Sequence, residues 1–285
     1  MEYTCKQIVE PLELIAPKNT QEGWDNSGFL VGDPNCTATA AVVGLDCTLD
    51  LVDEAIAKGA NLIITHHPLI FRGIKSIIPN NFVGKVITKL IKNGIVLYSA
   101  HTNLDKAESG VSRLMAQRLG LNDCTVLSRD GFGLVGVLEK PVESNEFILG
   151  VKDLFGVKSL RTSRPLDTPV SRVAVCGGAG RDFIPDAIEA GAQAYITGDL
   201  GYHNFYPEDG FMLLDIGHYE SKADKLRFFN ISQGSLEECR DYIILSRDLN
   251  FLQKGEFEAL CISIEEASKL LNAYCKGVIN NSAIS

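Results

Sequence analysis

The chain lacks most of the patterns that name a function outright. None of its eight cysteines forms a CxxC pair, so the short-spaced thiolate motifs are out. No apolar run reaches membrane length, and Met1-Glu2-Tyr3-Thr4 opens no secretory pattern. The expectation is a cytoplasmic protein with no membrane partner and no structural disulfides. Basic residues are in deficit, 27 Lys and Arg against 36 Asp and Glu for a formal charge of -9, which argues against broad nonspecific nucleic-acid binding. Gly177-Gly178-Ala179-Gly180 lacks the GKS or GKT of a P-loop. It reads as a plain turn, with an anion-cradling set of backbone N–H groups as the other reading. Tryptophan occurs once, at Trp24, and reads as a loop anchor rather than a substrate platform.

Histidine is also scarce, and the placement of the five that exist is informative. Leu62 to Thr65 has the apolar character of a buried parallel strand and runs straight into His66-His67-Pro68. Histidines leaving the carboxyl end of such a strand stand where open α/β sheets expose their ligand sites. Adjacent residues of a continuing strand point to opposite faces, so both imidazoles serve one cavity only if the chain turns there. Pro68 favours that turn. His101, His203 and His218 follow further strand-like runs, Ile95 to Tyr98, Ala194 to Thr197 and Phe211 to Leu214. Parallel strands would gather these residues at one end. Neutral imidazoles suit zinc, iron or nickel, and two of them could each hold one ion of a pair. Cys47 and Cys176 sit at strand ends and could approach a site, whereas Cys239, Cys261 and Cys275 read as small core residues.

With 285 residues, 45% hydrophobic and 22% charged, the chain can bury one large or two medium cores. A helix over Tyr3 to Ile15 precedes the loop Glu22 to Gly28. Phe29 to Val31, Ala40 to Leu45, Asn61 to Thr65 and Ile95 to Tyr98 read as strands, interleaved with helices over Leu49 to Lys58 and Asn80 to Lys92. A helix over Glu108 to Leu119 closes the first lobe near Leu121 to Arg129. Strands Gly133 to Leu138, Val157 to Arg161 and Val170 to Cys176, with helices Glu146 to Leu154 and Phe183 to Ala190, form a second unit. The expected fold class is α/β, two-lobed, with a parallel-rich sheet body (1–126 and 205–221), an inserted smaller α/β lobe (127–204) and a C-terminal helical hairpin (222–285).

Taken together, Trp24-Asp25-Asn26, His66-His67-Pro68-Leu69-Ile70-Phe71, Ala100-His101-Thr102-Asn103-Leu104-Asp105, Gly198-Asp199-Leu200-Gly201-Tyr202-His203 and Asp215-Ile216-Gly217-His218-Tyr219 resemble the dinuclear metal-centre family labelled GTP cyclohydrolase I type 2 homologues. The resemblance covers about Tyr3 to His218. It implies a two-lobed α/β fold, often a toroidal hexamer, with a metal pair. His66, His67, Asp105 and His218 match that family's metal ligands, and His101 and His203 match neighbouring site residues with catalytic roles. The family usually has Glu four residues after the last histidine, where this chain has Lys222. A protonated lysine has no acceptor and adds positive charge beside two cations. Glu220 replaces that carboxylate only through a local distortion. From about Lys222 to Ile279 the sequence is similar to the latter half of four-helix-bundle proteins encoded in bacterial 23S ribosomal RNA intervening sequences.

The resemblance implies a divalent-metal cofactor, zinc or iron, at two sites whose occupancy Lys222 lowers. In a complete site, two metals would activate water toward a phosphoryl or ring-carbon centre. His101 would orient a ligand or transfer a proton, and Asp199 would fix the tautomer of His203. The first reading is a metal-dependent hydrolase of a nucleotide or related phosphorylated small molecule, with an impaired dinuclear centre. The second is a metal-binding structural or assembly protein without turnover. Self-association is expected in either case.

Overall fold

The computed structural model describes residues 3–222 and five positions between 255 and 261. Apart from Lys222 and those five positions, the expected helical hairpin over 222–285 lies outside the described residues. The chain divides into two compact units, one running through Leu104 and the other starting at Asp105. Each unit carries its own sheet.

The first unit contains α1 (Cys5–Ile15), β1 (Gly28–Val31), β2 (Ala41–Gly44), α2 (Leu49–Ala57), β3 (Leu62–Thr65), α3 (Phe82–Lys92) and β4 (Val96–Ser99). Thr4 opens α1 through a reciprocal capping box with Gln7, and Thr48 and Asn81 cap α2 and α3 through their side chains. These caps satisfy backbone donors that the first turn leaves without partners. The sheet order is β1-β4-β3-β2. Strands β2, β3 and β4 are parallel, with Gly44 beside Thr65 and Thr65 beside Ser99. Their side chains alternate between two cores. Ile63 and Leu97 pack toward α2 and α3, whereas Leu62, Val96 and Tyr98 pack with Cys5 and Val9 of α1. Both faces are therefore covered, as a parallel sheet requires.

Because the parallel strands are in register, their carboxyl ends finish side by side. The edge strand β1 runs antiparallel, with Gly28 beside Ser99, so its amino end lies at that same rim. Four chain segments that are remote in sequence converge there: 24–27, 45–47, 66–71 and 100–103.

The second unit contains α5 (Val111–Arg118), β5 (Asn122–Val126), β6 (Leu134–Val142), α6 (Ser144–Phe155), β7 (Arg161–Thr162), β8 (Val170–Ala179), α7 (Ile184–Glu189), β9 (Ala194–Gly198), β10 (Met212–Asp215) and α8 (His218–Lys222). The one-turn helix α4 (Thr102–Asp105) spans the division. The sheet order is β5-β6-β8-β9-β10-β7, parallel from β8 to β10 and antiparallel at both flanks. Val173, Val175, Ile196, Met212 and Leu214 face one core with α5 and α6. Ala174, Cys176, Tyr195 and Leu213 face the other with Ala187 of α7.

The two-lobed α/β class is as expected, but the division falls elsewhere. Residues 105–126 and 205–221 belong with the second unit, because β5 pairs with β6 and β10 pairs with β9 and β7. The expected strand over Val157 to Arg161 shrinks to two residues. Val157 instead follows the left-handed Gly156 that ends α6 and is buried in the core. β8 runs on through Gly177 and Gly178, so that segment is neither a plain turn nor an anion cradle. The N–H groups of Gly177, Gly178 and Gly180 donate to the hydroxyls of Ser112, Ser221 and Thr197.

Candidate metal centre

At the rim of the first sheet, β3 delivers His66 and His67 and β4 delivers His101. The turn needed to put both adjacent histidines on one side is present. The Thr65 hydroxyl donates to the carbonyl of His67, two residues on, at 3.0 Å and lies 2.8 Å from the Ser99 hydroxyl. His66 and His67 N–H groups continue the ladder to Gly44 and Leu45 carbonyls. The ring centroids of His66 and His67 are 4.9 Å apart, and His101 stands 5.1 Å and 5.6 Å from them. One nitrogen from each ring lies within 4.8 Å of the others.

Each imidazole is oriented through Nδ1. His66, 2% exposed, places Nδ1 2.7 Å from the carbonyl of Ala100. A carbonyl only accepts, so the proton is on Nδ1. His67 Nδ1 is 2.8 Å from Asp46 Oδ1, and His101 Nδ1 is 2.8 Å from Asp25 Oδ1. A neutral imidazole donating through Nδ1 keeps its lone pair on Nε2, which is the tautomer a metal takes, and carboxylate or carbonyl partners make that nitrogen more basic. The donor set therefore fits a divalent metal of the borderline class.

Asp25 explains the WDN segment. Its side chain has no exposed surface. Burial alone would raise its pKa, but hydrogen bonds from His101 and from the hydroxyl and N–H of Thr102 outweigh that and hold it well below the usual carboxylate range. Asn26 N–H donates to Oδ1, and Ser27 Oγ lies 3.3 Å from Oδ2. Asn103 works from the other side: its Oδ1 accepts from His101 N–H and Ser27 Oγ, and its Nδ2 donates to Ala16 O. The sequence reading named the histidines and missed these two holders. The spacing Trp24-Asp25-Asn26 and Thr102-Asn103 was their only signal.

Asp105 is half-buried at the end of α4. His203, in the second unit, is exposed on a 3-10 turn beside Tyr202, with ring centroids 5.3 Å apart. His218 opens α8, and its Nδ1 lies 2.7 Å from Asp199 Oδ2. Asp199, whose backbone is left-handed (φ 57°), thus partners His218 and not His203. Gly198 permits this approach, since a Cβ there would lie 2.8 Å from backbone atoms of Gly217 and His218. Buried Asp215 ties the same loops by accepting from Leu200 N–H, Gly217 N–H and Arg161. Glu220 folds back over Gly217, and the Lys222 side chain lies outside the described residues.

Cys47 is 3% exposed among Leu51 and Val52. Burial, then the neighbouring Asp46 charge, pushes its thiol up to about 12, so it is a core residue. Cys176 packs in the second unit's core. Trp24, expected as a loop anchor, is 59% exposed and meets Phe71 and His101 edge to face.

Known proteins place this geometry in context. The model of the Duf34/NIF3 (NGG1p interacting factor 3) family matches residues 3–227, and that of the 23S rRNA-intervening sequence protein matches residues 217–273. The chain is 40% identical to the GTP cyclohydrolase 1 type 2 homolog of Clostridium perfringens, over 75% of this chain and 85% of that one. Reduced HcgD from Methanocaldococcus jannaschii superposes with a TM-score of 0.72 at 29% identity, covering 82% of this chain and 95% of its own. A Bacillus cereus protein related to NIF3 gives 0.71 at 26% identity, covering 77% and 89%. Among the described residues no helix is long and apolar enough to cross a membrane.

Proposed function

Since the chain belongs to the Duf34/NIF3 family, we propose that it holds a divalent metal, zinc or iron, on His66, His67 and His101 and hydrolyses a nucleotide or related phosphorylated small molecule. The observation carrying this reading is the convergence of three imidazoles, each oriented through Nδ1 by Ala100, Asp46 or Asp25. Bound there, the metal supplies Lewis-acid polarisation of a phosphoryl or ring-carbon centre and activation of water. The chain's own contribution is positional. Asp25 and Asn103 fix His101, Thr65 fixes the His66-His67 turn, and the in-register strands hold the two together.

In this proposal Asp105 and His218, both of the second unit, are assigned a second metal position, and His203 transfers a proton. Lys222, in the place of the family's usual glutamate, lowers the occupancy of that second position. The protein self-associates and works in the cytoplasm. A second reading, a metal-binding structural or assembly protein without turnover, is favoured by Lys222 together with the 23S rRNA-intervening sequence match over 217–273.

Elemental analysis of the purified chain beside His66→Ala and His101→Ala, with phosphate release from a nucleotide panel, separates the readings. Metal and turnover lost together in both variants is the expected result. Metal bound without turnover on any nucleotide moves the function to the second reading, and no metal in the unaltered chain overturns both.

A further inference from the structure

Trp24 is the chain's only tryptophan, and it is exposed on a loop that is otherwise pinned. The next residue, Asp25, is buried and bonded to His101 and Thr102. Asn26 Nδ2 donates to the carbonyl of Ile70 at 2.6 Å, tying this loop to the segment that carries Phe71. Ser27 Oγ donates to Asn103 at 2.9 Å. A loop fixed at three successive residues does not leave its indole outside for want of order. The indole is 59% and Phe71 44% exposed.

The surroundings of this indole give it a direction. Trp24 meets Phe71 at 5.8 Å and His101 at 6.3 Å between centroids, with interplanar angles of 61° and 74°. Phe71 also meets His101, at 6.2 Å and 83°. The three rings make a corner of T-shaped contacts, and among the described residues no ring lies parallel on the indole. Offset stacking and edge-to-face contact are both favourable for aromatic pairs, so the stacking mode is the one left to a ligand. A planar ring on Trp24 would have its substituents beside His101, which stands 5.1 Å from His66 and 5.6 Å from His67.

We propose that Trp24, braced by Phe71 and His101, is a stacking platform for a planar heteroaromatic ring of the ligand. The inference rests on the metal-dependent reading of the same centre and narrows it, from phosphorylated small molecules at large to those carrying a nucleobase-like ring. Recognition by an aromatic face suits a chain of net charge -9, whose overall field does not attract phosphate. A preorganised ring loses little freedom on binding. Base-on-aromatic stacking is worth about 5- to 150-fold in affinity when the platform is truncated.

Trp24 is also the only indole fluorophore, so its emission reports its own occupancy. The full-length, zinc-supplemented chain is titrated with GMP, CMP and ribose 5-phosphate. Calorimetry, zinc content and oligomeric state are measured in parallel for Trp24→Leu and Trp24→Phe. We expect saturable quenching by at least one nucleotide and none by ribose 5-phosphate. Trp24→Leu should weaken nucleotide binding about 5- to 150-fold, Trp24→Phe should restore most of it, and zinc content should not change. Equal binding of nucleotide and ribose 5-phosphate, indifferent to Trp24→Leu, overturns the platform and leaves the metal reading standing. Nucleotide quenching in a chain that takes up no zinc sustains the platform and removes the metal reading. Quenching by neither nucleotide overturns the platform, as does a Trp24→Leu variant that loses its assembly and not its ligand, which would make the ring a subunit contact.

Discussion

Replacing Asp25 by Asn keeps the shape of the side chain and removes its charge, which isolates what the buried carboxylate does. Oδ1 accepts from His101 Nδ1 and Asn26 N–H, and Oδ2 accepts from the N–H and hydroxyl of Thr102. An amide has one accepting oxygen. If that oxygen stays with His101, its NH2 group faces Thr102 N–H, donor against donor, in a place without solvent. Leaving one buried donor unsatisfied costs about 1–3 kcal/mol, so urea unfolding of Asp25→Asn should show a loss in that range. Metal binding should fall by about 10- to 100-fold, the usual effect of removing the partner that orients a ligating histidine, read by competition with a chelator. Asp46→Asn is the internal comparison. Asp46 holds His67 in the same way but is 55% exposed, so water replaces what the amide cannot accept, and the stability loss should stay below about 0.5 kcal/mol. If Asp25→Asn binds metal within twofold of the parent and unfolds at the same urea concentration, the claim that Asp25 orients His101 is wrong.

Lys222→Glu restores a carboxylate four residues after His218 and should raise the metal content per subunit by elemental analysis. An unchanged content would show that Lys222 is not what limits the second position. Gly198→Ala should cost about 1–3 kcal/mol, the range of overpacking, because its Cβ would strike the backbone of Gly217 and His218; unfolding of the second unit followed by Tyr and far-ultraviolet signals reads this out. The Cys47 thiol, pushed up to about 12 by burial and then by Asp46, should resist iodoacetamide at pH 8 in the folded chain and react on unfolding. An unfolded thiol ionises near 8.5. The raised value therefore adds stability that is complete below about pH 8.5 and disappears as pH rises toward about 12, so Cys47→Ala should flatten the alkaline limb of the stability profile.

The fold was readable where periodicity and burial agreed. Leu62 to Thr65 and Val96 to Ser99 are apolar, fully or nearly buried strands, and the helix preceding each carries a side-chain cap. It was unreadable where strands are polar. Four of the five residues of β5, Asn122 to Val126, are exposed, and an edge strand with no apolar alternation looks like a loop. Likewise Gly177-Gly178 carries no strand signal of its own: it lies where the pairing of β8 with β9 is irregular, and the hydroxyls of Ser112 and Ser221 accept from its N–H groups. His66, His67 and His101 announced themselves by following strand-like runs. Asp25 did not, because an aspartate in a loop beside Asn and Ser looks like turn chemistry, and its role appears only once β1 is known to be antiparallel. The same pairing exposes Trp24 beside His101.

The pairing of Gly28 with Ser99 also sets a timetable for folding. Strands β2, β3 and β4 join through crossovers that can close progressively, whereas β1 must wait for a partner that leaves the ribosome some seventy residues later, and long loop closures are slow. Asp25 reaches His101 only when that strand docks. A metal that binds the oriented triad in preference to the unfolded chain therefore stabilises the docked sheet by mass action, and its uptake marks the moment when the earliest and latest strands of that sheet have met.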